Sequence, residues 1–322
     1  MRTIVATFFF FVFTTPTVVL AAKVTAVPVV VANKYNINTS WYKKYTTVRG
    51  IPIIASKKVD SRALIKAAAV TSKMFRGKGY GPKIVKYMRV YRNKIGIVGR
   101  TERNRQMPEA RRLAKKYDKV AGLACCGTWV FNEKAGEWKL YERIAFQNEM
   151  NVLQKRYPLD KSAGASVLMH EVAHLIHRTV LDQEFKSVSS EITRAYKAAK
   201  KKGKWKGAYA GTDKYEYWAE GSARWFAAFL PEVKSKDYWT TGGRFPKNRE
   251  QLKKYDPALY KVLLKVYGNS KWRFRYGPMC DKGYVCRTTY ALSTPFGSSL
   301  AKAASQNMFM VGEDFDLKIH NS

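Results

Sequence analysis

The chain has 322 residues, 46% hydrophobic and 14% aromatic, which is ample for a sizeable core and excludes a disordered tail. Lysine and arginine total 59 against 24 acidic residues, giving a net charge of +35 that attracts polyanions through long-range Coulomb forces. Each basic run alone reads first as solvated surface, but the excess over the whole chain is too large for that alone. Acidic proteins, sulfated polysaccharide, anionic membrane and mineral-associated matrix are the extracellular partners this charge admits; nucleic acid has no recognition motif to support it.

In chain order, Arg2, the apolar run Thr3 to Leu20 and the small residues Ala21 and Ala22 have the grammar of a signal peptide. Cleavage is expected after Ala21, which makes residues 1–21 a leader and the protein secreted. Pro16, Lys23 and Pro28 interrupt any 20-residue apolar span, which argues against an uncleaved anchor, and no later stretch predicts a transmembrane helix. Residues 22–49 are Tyr-rich without a clear period and read as an N-terminal extension or short strands; Asn38-Thr39-Ser40 is an N-glycosylation acceptor.

From Gly50 the pattern sharpens. Ile51 to Ala55 reads as a buried strand, Val59 to Phe75 as a helix beginning near Asp60 or Ser61, and Lys94 to Gly99 as a second strand. Thr128 to Phe131 and Trp138 to Phe146 predict further strands around a turn at residues 134–136. Helices are expected over about 162–178, 186–201, 213–229 and 257–267, and residues 270–322 are turn-rich. Strands first and helices later indicate one α+β domain over residues 50–322, with a small N-terminal mixed sheet and a mainly helical C-terminal part. Cys125, Cys126, Cys280 and Cys286 form an even set suited to two disulfides in an oxidising compartment. A bridge between the neighbours Cys125 and Cys126 would be strained. Closure of the 280–286 loop is the expected pairing, leaving those neighbours free or bonded to each other, with two long-range bridges as the rival.

Three of the four histidines, His170, His174 and His177, fall within eight consecutive residues. At 3.6 residues per turn His170 and His174 lie on one helix face and can bind a single ion, with Glu171 alongside as general base toward water. A catalytic zinc takes a third protein ligand. The three-histidine pattern HExxHxxGxxH is excluded, because position 177 is histidine where glycine is required and position 180 is valine. A glutamate on a later helix is the alternative, and Glu216 and Glu220 share a helix face. Spacing alone leaves the two even, since Asp213 and Glu216 also fit a capping box.

His170-Glu-Val-Ala-His174 together with Tyr209-Ala-Gly-Thr212-Asp-Lys-Tyr-Glu216-Tyr-Trp-Ala219-Glu220 resembles the gluzincin metallopeptidases, and among them the catalytic domain of the anthrax lethal factor type. The resemblance covers about residues 165–228, and segments 50–68 and Pro108-Glu109 look like the amino-terminal part of secreted gluzincins. It implies a zincin-like metallopeptidase domain holding one Zn²⁺ on His170, His174 and Glu216. It further implies that Glu220 supports a ligand imidazole and that Tyr209 stabilises the oxyanion. Thermolysin-like members use a downstream histidine for that last role, and the one here, His320, is third from the end. His177 is expected to pack or support rather than ligate.

The expected function is therefore a secreted zinc metalloendopeptidase acting on a protein or peptide substrate, with acidic substrates favoured by the basic surface. The rival is a secreted basic polyanion- or matrix-binding protein on a catalytically silent zincin scaffold. Glu171 argues against that rival, because a purely structural zinc site has no use for it.

Overall fold

The computed structural model describes residues 23–118, 122–154, 166–228 and 245–274. The expected leader, the Cys280 and Cys286 pair and His320 lie outside the described residues. The amino-terminal half supplies α1 (Val29–Tyr35), β1 (Lys44–Val48), β2 (Ile51–Ala55), α2 (Ser61–Met74), α3 (Gly81–Val90) and β3 (Lys94–Val98). After three 3₁₀ turns come β4 (Gly122–Cys125), β5 (Thr128–Asn132), β6 (Glu137–Tyr141), β7 (Ile144–Asn148) and the short α4 (Glu149–Val152). The rest is helical: α5 (Val167–Leu175), a π-helical turn Ile176–Leu181, α6 (Asp182–Glu184), α7 (Lys186–Lys201), α8 (Lys214–Trp225), α9 (Arg249–Tyr255) and α10 (Pro257–Tyr267). The α+β class is as expected.

Five strands form one sheet in the order β1-β2-β3-β7-β4. The central pairs β2–β3 and β3–β7 are parallel, while β1 and β4 run antiparallel at the two edges. A sheet with parallel centre strands needs both faces covered, and the alternation along each strand supplies that. Ile51, Ile53 and Ala55 of β2 face the larger core with α2, α3, α5, α8 and α10, whereas Ile54 joins Val98, Ile144 and Phe146 on the opposite face. That opposite face is closed by Ala32 and Tyr35 of α1, Ile37, Tyr42, Met107 and Ala110.

Several elements differ from the sequence reading. The expected strand over Trp138 to Phe146 is two strands in two sheets: Glu142 takes a left-handed backbone (φ 57), so β6 pairs with β5 and β7 enters the main sheet. The segment read as an extension or short strands provides α1 and the edge strand β1. It is pinned by the buried Lys94, whose Nζ donates to the carbonyl oxygens of Tyr35 (2.9 Å) and Asn36 (3.4 Å) and lies 3.5 Å from Glu109. Tyr42 donates to the same Glu109 carboxylate at 2.6 Å. Asp60 is the N-cap of α2, its carboxylate accepting from Arg62 N–H. Cys125 and Cys126 are bonded to each other at the end of β4, with Cys126 in the left-handed region (φ 67).

One buried carboxylate ties the helical half together. Asp256 accepts from Trp205 Nε1 (2.8 Å) and Tyr217 Oη (2.7 Å) and caps α10 at Leu259 N–H (3.2 Å). Replacing Asp256 with Ala leaves these donors unpaired and is expected to lower the unfolding free energy by about 3 kcal/mol, against a smaller loss for Asp256→Asn; chemical denaturation measures both.

Candidate metal centre

Every residue of α5 is buried, because the helix lies between β7 and β4 on one side and α8 on the other. Leu168, Met169, Val172 and Leu175 fill the core around it, leaving His170 and His174 one turn apart on the face toward α8. Helix α8 begins at Asp213, whose carboxylate caps the N–H groups of Tyr215 and Glu216. It is seated by Trp218, whose indole N–H donates to the Ala173 carbonyl at 3.0 Å. This contact ties the middle of one metal-site helix to the middle of the other.

The seating decides between the two glutamates. Glu216 Oε2 lies 3.0 Å from His170 Nε2 and 3.3 Å from His174 Nε2, and the two Nε2 atoms are 2.9 Å apart. His170, His174 and Glu216 thus form a largely buried group able to hold a metal ion. Glu220, one turn on and fully buried, places Oε1 3.2 Å from the opposite nitrogen of His170, Nδ1, and its other oxygen on Arg224. A carboxylate on Nδ1 favours the tautomer that turns a lone pair at Nε2 toward the metal position. The residues present therefore fit a cation: two imidazole nitrogens and a carboxylate oxygen, the usual donors to a divalent ion, converge in a largely buried group.

The electrostatic surroundings of the three side chains agree with that fit. Burial works against charge on His170, but Glu216 and Glu220 outweigh it and raise its pKa to about 10. Burial likewise opposes the Glu216 carboxylate, yet the two imidazoles hold it well below the usual range. His174 is lowered, chiefly by burial. The pocket favours positive charge between these three side chains.

Glu171 points to the β4 side of the helix. Burial pushes its pKa up to about 7, with His170, Arg143 and the Ala124 N–H pulling the other way and Glu216 adding to the rise. The fit against β4 is close: a Cβ on Gly122 would stand 2.5 Å from Val167 Cγ1 and 2.9 Å from Glu171 Cγ. Tyr209 approaches from the 3₁₀ turn Tyr209–Gly211 just before α8, its ring stacked over His170 with centroids 6.1 Å apart. Its pKa is raised by burial, by the Glu216 charge and by a hydrogen bond to Glu216. Gly211 makes that turn, since a Cβ there would sit 2.5 Å from the Trp205 carbonyl oxygen.

His177 stays out of the triad. It is fully buried in the π-helical turn against Tyr215 (4.8 Å between centroids) and Trp218 (6.0 Å), with Nε2 3.5 Å from Asp182. Two charged partners were not foreseen. Arg224 is visible in hindsight as i+4 from Glu220 on one helix. Arg143 and its donation to the Ala124 carbonyl (2.5 Å) carry no local signal, because strand pairing brings them to Glu171. The chain matches no protein-family model, and comparisons with curated proteins and with solved structures find no match.

The geometry predicts one divalent ion per chain. His174→Ala is expected to abolish stoichiometric binding, while Glu220→Gln keeps the stoichiometry and weakens affinity by about 10- to 100-fold. Metal analysis after dialysis, with competition against a chromophoric chelator, reads both.

Proposed function

We propose that the chain is a secreted zinc metallopeptidase of the gluzincin type, with a zincin-like catalytic domain. The observation that carries this reading is the convergence of His170 Nε2, His174 Nε2 and Glu216 Oε2 on one point, with Glu171 beside His170 on the same helix and the Tyr209 ring stacked on His170. Two imidazoles and one carboxylate are the donor set of hydrolytic zinc, and three protein ligands leave a position for chemistry. Zinc bound there supplies Lewis acidity, lowering the pKa of water and polarising a peptide carbonyl.

The chain's own residues supply the rest. Glu171 accepts the proton of the attacking water and passes it to the leaving amine, and its buried setting, with a pKa near 7, suits both halves of that transfer. Tyr209 stays protonated across the working pH range, because burial and the surrounding carboxylates oppose its ionisation. It therefore remains a hydrogen-bond donor, and the proposed acceptor is the oxyanion of the tetrahedral intermediate. Glu220, held ionised by Arg224 against the cost of burial, fixes the His170 ring. The substrate class is protein or peptide, and the net charge of +35 favours acidic ones.

Glu171→Gln is expected to keep the metal and lose about 10²- to 10⁴-fold in hydrolysis of an unfolded protein substrate. Tyr209→Phe should lower kcat by about 10²- to 10³-fold with little change in KM. Chelator-sensitive cleavage followed by mass spectrometry measures these losses, and a fully active Gln variant would sink the mechanism.

A further inference from the structure

Away from the metal centre, a cavity of about 440 Å³ lies between α1 and the end of α3, lined by Asn33, Lys34, Lys86, Arg89, Val90 and Arg92. Four of the six side chains are cationic and none is acidic. The nearest carboxylate in contact is Glu142, which bonds Arg92 at 3.1 Å and accepts from Asn36 Nδ2 at 3.2 Å. It offsets one of four positive charges. Arg89 is held in place by Tyr35, whose hydroxyl it hydrogen-bonds and which in turn donates to the Gly50 carbonyl at 2.7 Å.

Beside these cations stand apolar side chains that the fold leaves in water. Val29 is 76% exposed, Val30 73% and Val90 49%. Helix α1 buries its other face, Val31, Ala32 and Tyr35, against the small core on the sheet. Val29 and Val30 sit one helical turn from Asn33 and Lys34, so by helix geometry they continue the surface that carries the cavity. Attraction to a soluble polyanion accounts for the four cations and leaves the three valines unexplained. A lipid surface accounts for both, since aliphatic side chains enter the headgroup boundary while cations pair with phosphates.

We propose that the α1–α3 surface docks on an anionic phospholipid membrane, with Val29, Val30 and Val90 entering the interface and Lys34, Lys86, Arg89 and Arg92 receiving headgroup oxyanions in the cavity. The assignment is independent of the hydrolytic reading. It uses none of the residues around His170 and concerns where the protein sits rather than what it cleaves.

Co-sedimentation of the secreted protein, residues 22–322, with phosphatidylcholine vesicles, with and without about 30% phosphatidylserine at roughly 0.15 M salt, tests it. Wild type should bind the anionic vesicles and not the neutral ones. The doubles Lys34→Gln/Lys86→Gln and Val29→Ser/Val30→Ser should each weaken binding about tenfold, and the charge-matched control Lys197→Gln/Lys201→Gln on α7 by less than about twofold. Equal loss in the two lysine doubles, or no effect of the valine double, would mean diffuse adsorption of a basic protein and would overturn the proposal. So would a sulfated oligosaccharide whose affinity depends on Lys34 and Lys86 when vesicle binding does not. Circular dichroism melts of all variants separate loss of binding from loss of fold.

Discussion

The contact on which the centre depends is the seating of α8 against α5 through Trp218 and the Ala173 carbonyl. Ala173 lies between the two histidines, so this one bond fixes the height of α8 relative to both. The seam is shaped for close approach: Gly221 faces Leu259 of α10, where an added Cβ would come within 2.7 Å of the leucine side chain, and Tyr267 stacks on Trp218 at 5.6 Å. Asp256 extends the anchor outward. By holding Tyr217 and Trp205 together it sets both the middle of α8 and the loop whose next turn presents Tyr209. Glu216, Glu220 and Tyr209 thus hang from one connected anchor.

That rigidity carries an electrostatic cost. Glu171, Glu216 and Glu220 lie within one small volume, and buried like charges raise each other's energy. Each has a different remedy. Glu220 is matched by the buried Arg224, which also lies over the Trp205 ring at 5.3 Å. Glu171 feels Arg143 and the Ala124 N–H but remains easily protonated. Glu216 turns one oxygen to the imidazole nitrogens, so a divalent cation there would offset the negative charge that Arg143 and Arg224 leave over.

What the sequence disclosed follows from the range of each interaction. The His170-Glu171-His174 face was legible because helix periodicity is local, and so was the strand Ile51 to Ala55. Glu216 and Glu220 were indistinguishable by spacing because both project from one face; the choice depends on the height of α8 and on Arg224 occupying Glu220, neither of which is a local property. Helix α3 went unassigned because the glycines at 77, 79 and 81 and Pro82 break the helical pattern, although Gly81 and Pro82 form its first turn. Helix α1 was hidden by its apolar Val29-Val30-Val31 run, whose amphipathic split appears only once the sheet is there to cover one side. The division of residues 138–146 rests on a single positive φ at Glu142, which the run of strand-forming residues on either side of it does not signal.

Parts of the two surfaces to which function is ascribed lie toward opposite edges of the sheet. Glu171 lies beside β4 at one edge, whereas Arg89 lies against Gly50 in the β1–β2 connection at the other. With strands about 4.8 Å apart, four spacings put these edges roughly 19 Å from one another. Helix α1 and helix α5 moreover cover opposite faces of the sheet, as the division of their buried residues between the two core clusters requires. Helix α3, by contrast, packs in the same core cluster as α5, so only the α1 part of the proposed lipid-facing surface lies across the sheet from His170. A Coulomb field that would draw the protein to an anionic surface leaves the buried carboxylates nearly untouched, because charges exposed at one edge are screened over about 8–10 Å of saline while Arg143 and Arg224 act at contact distance.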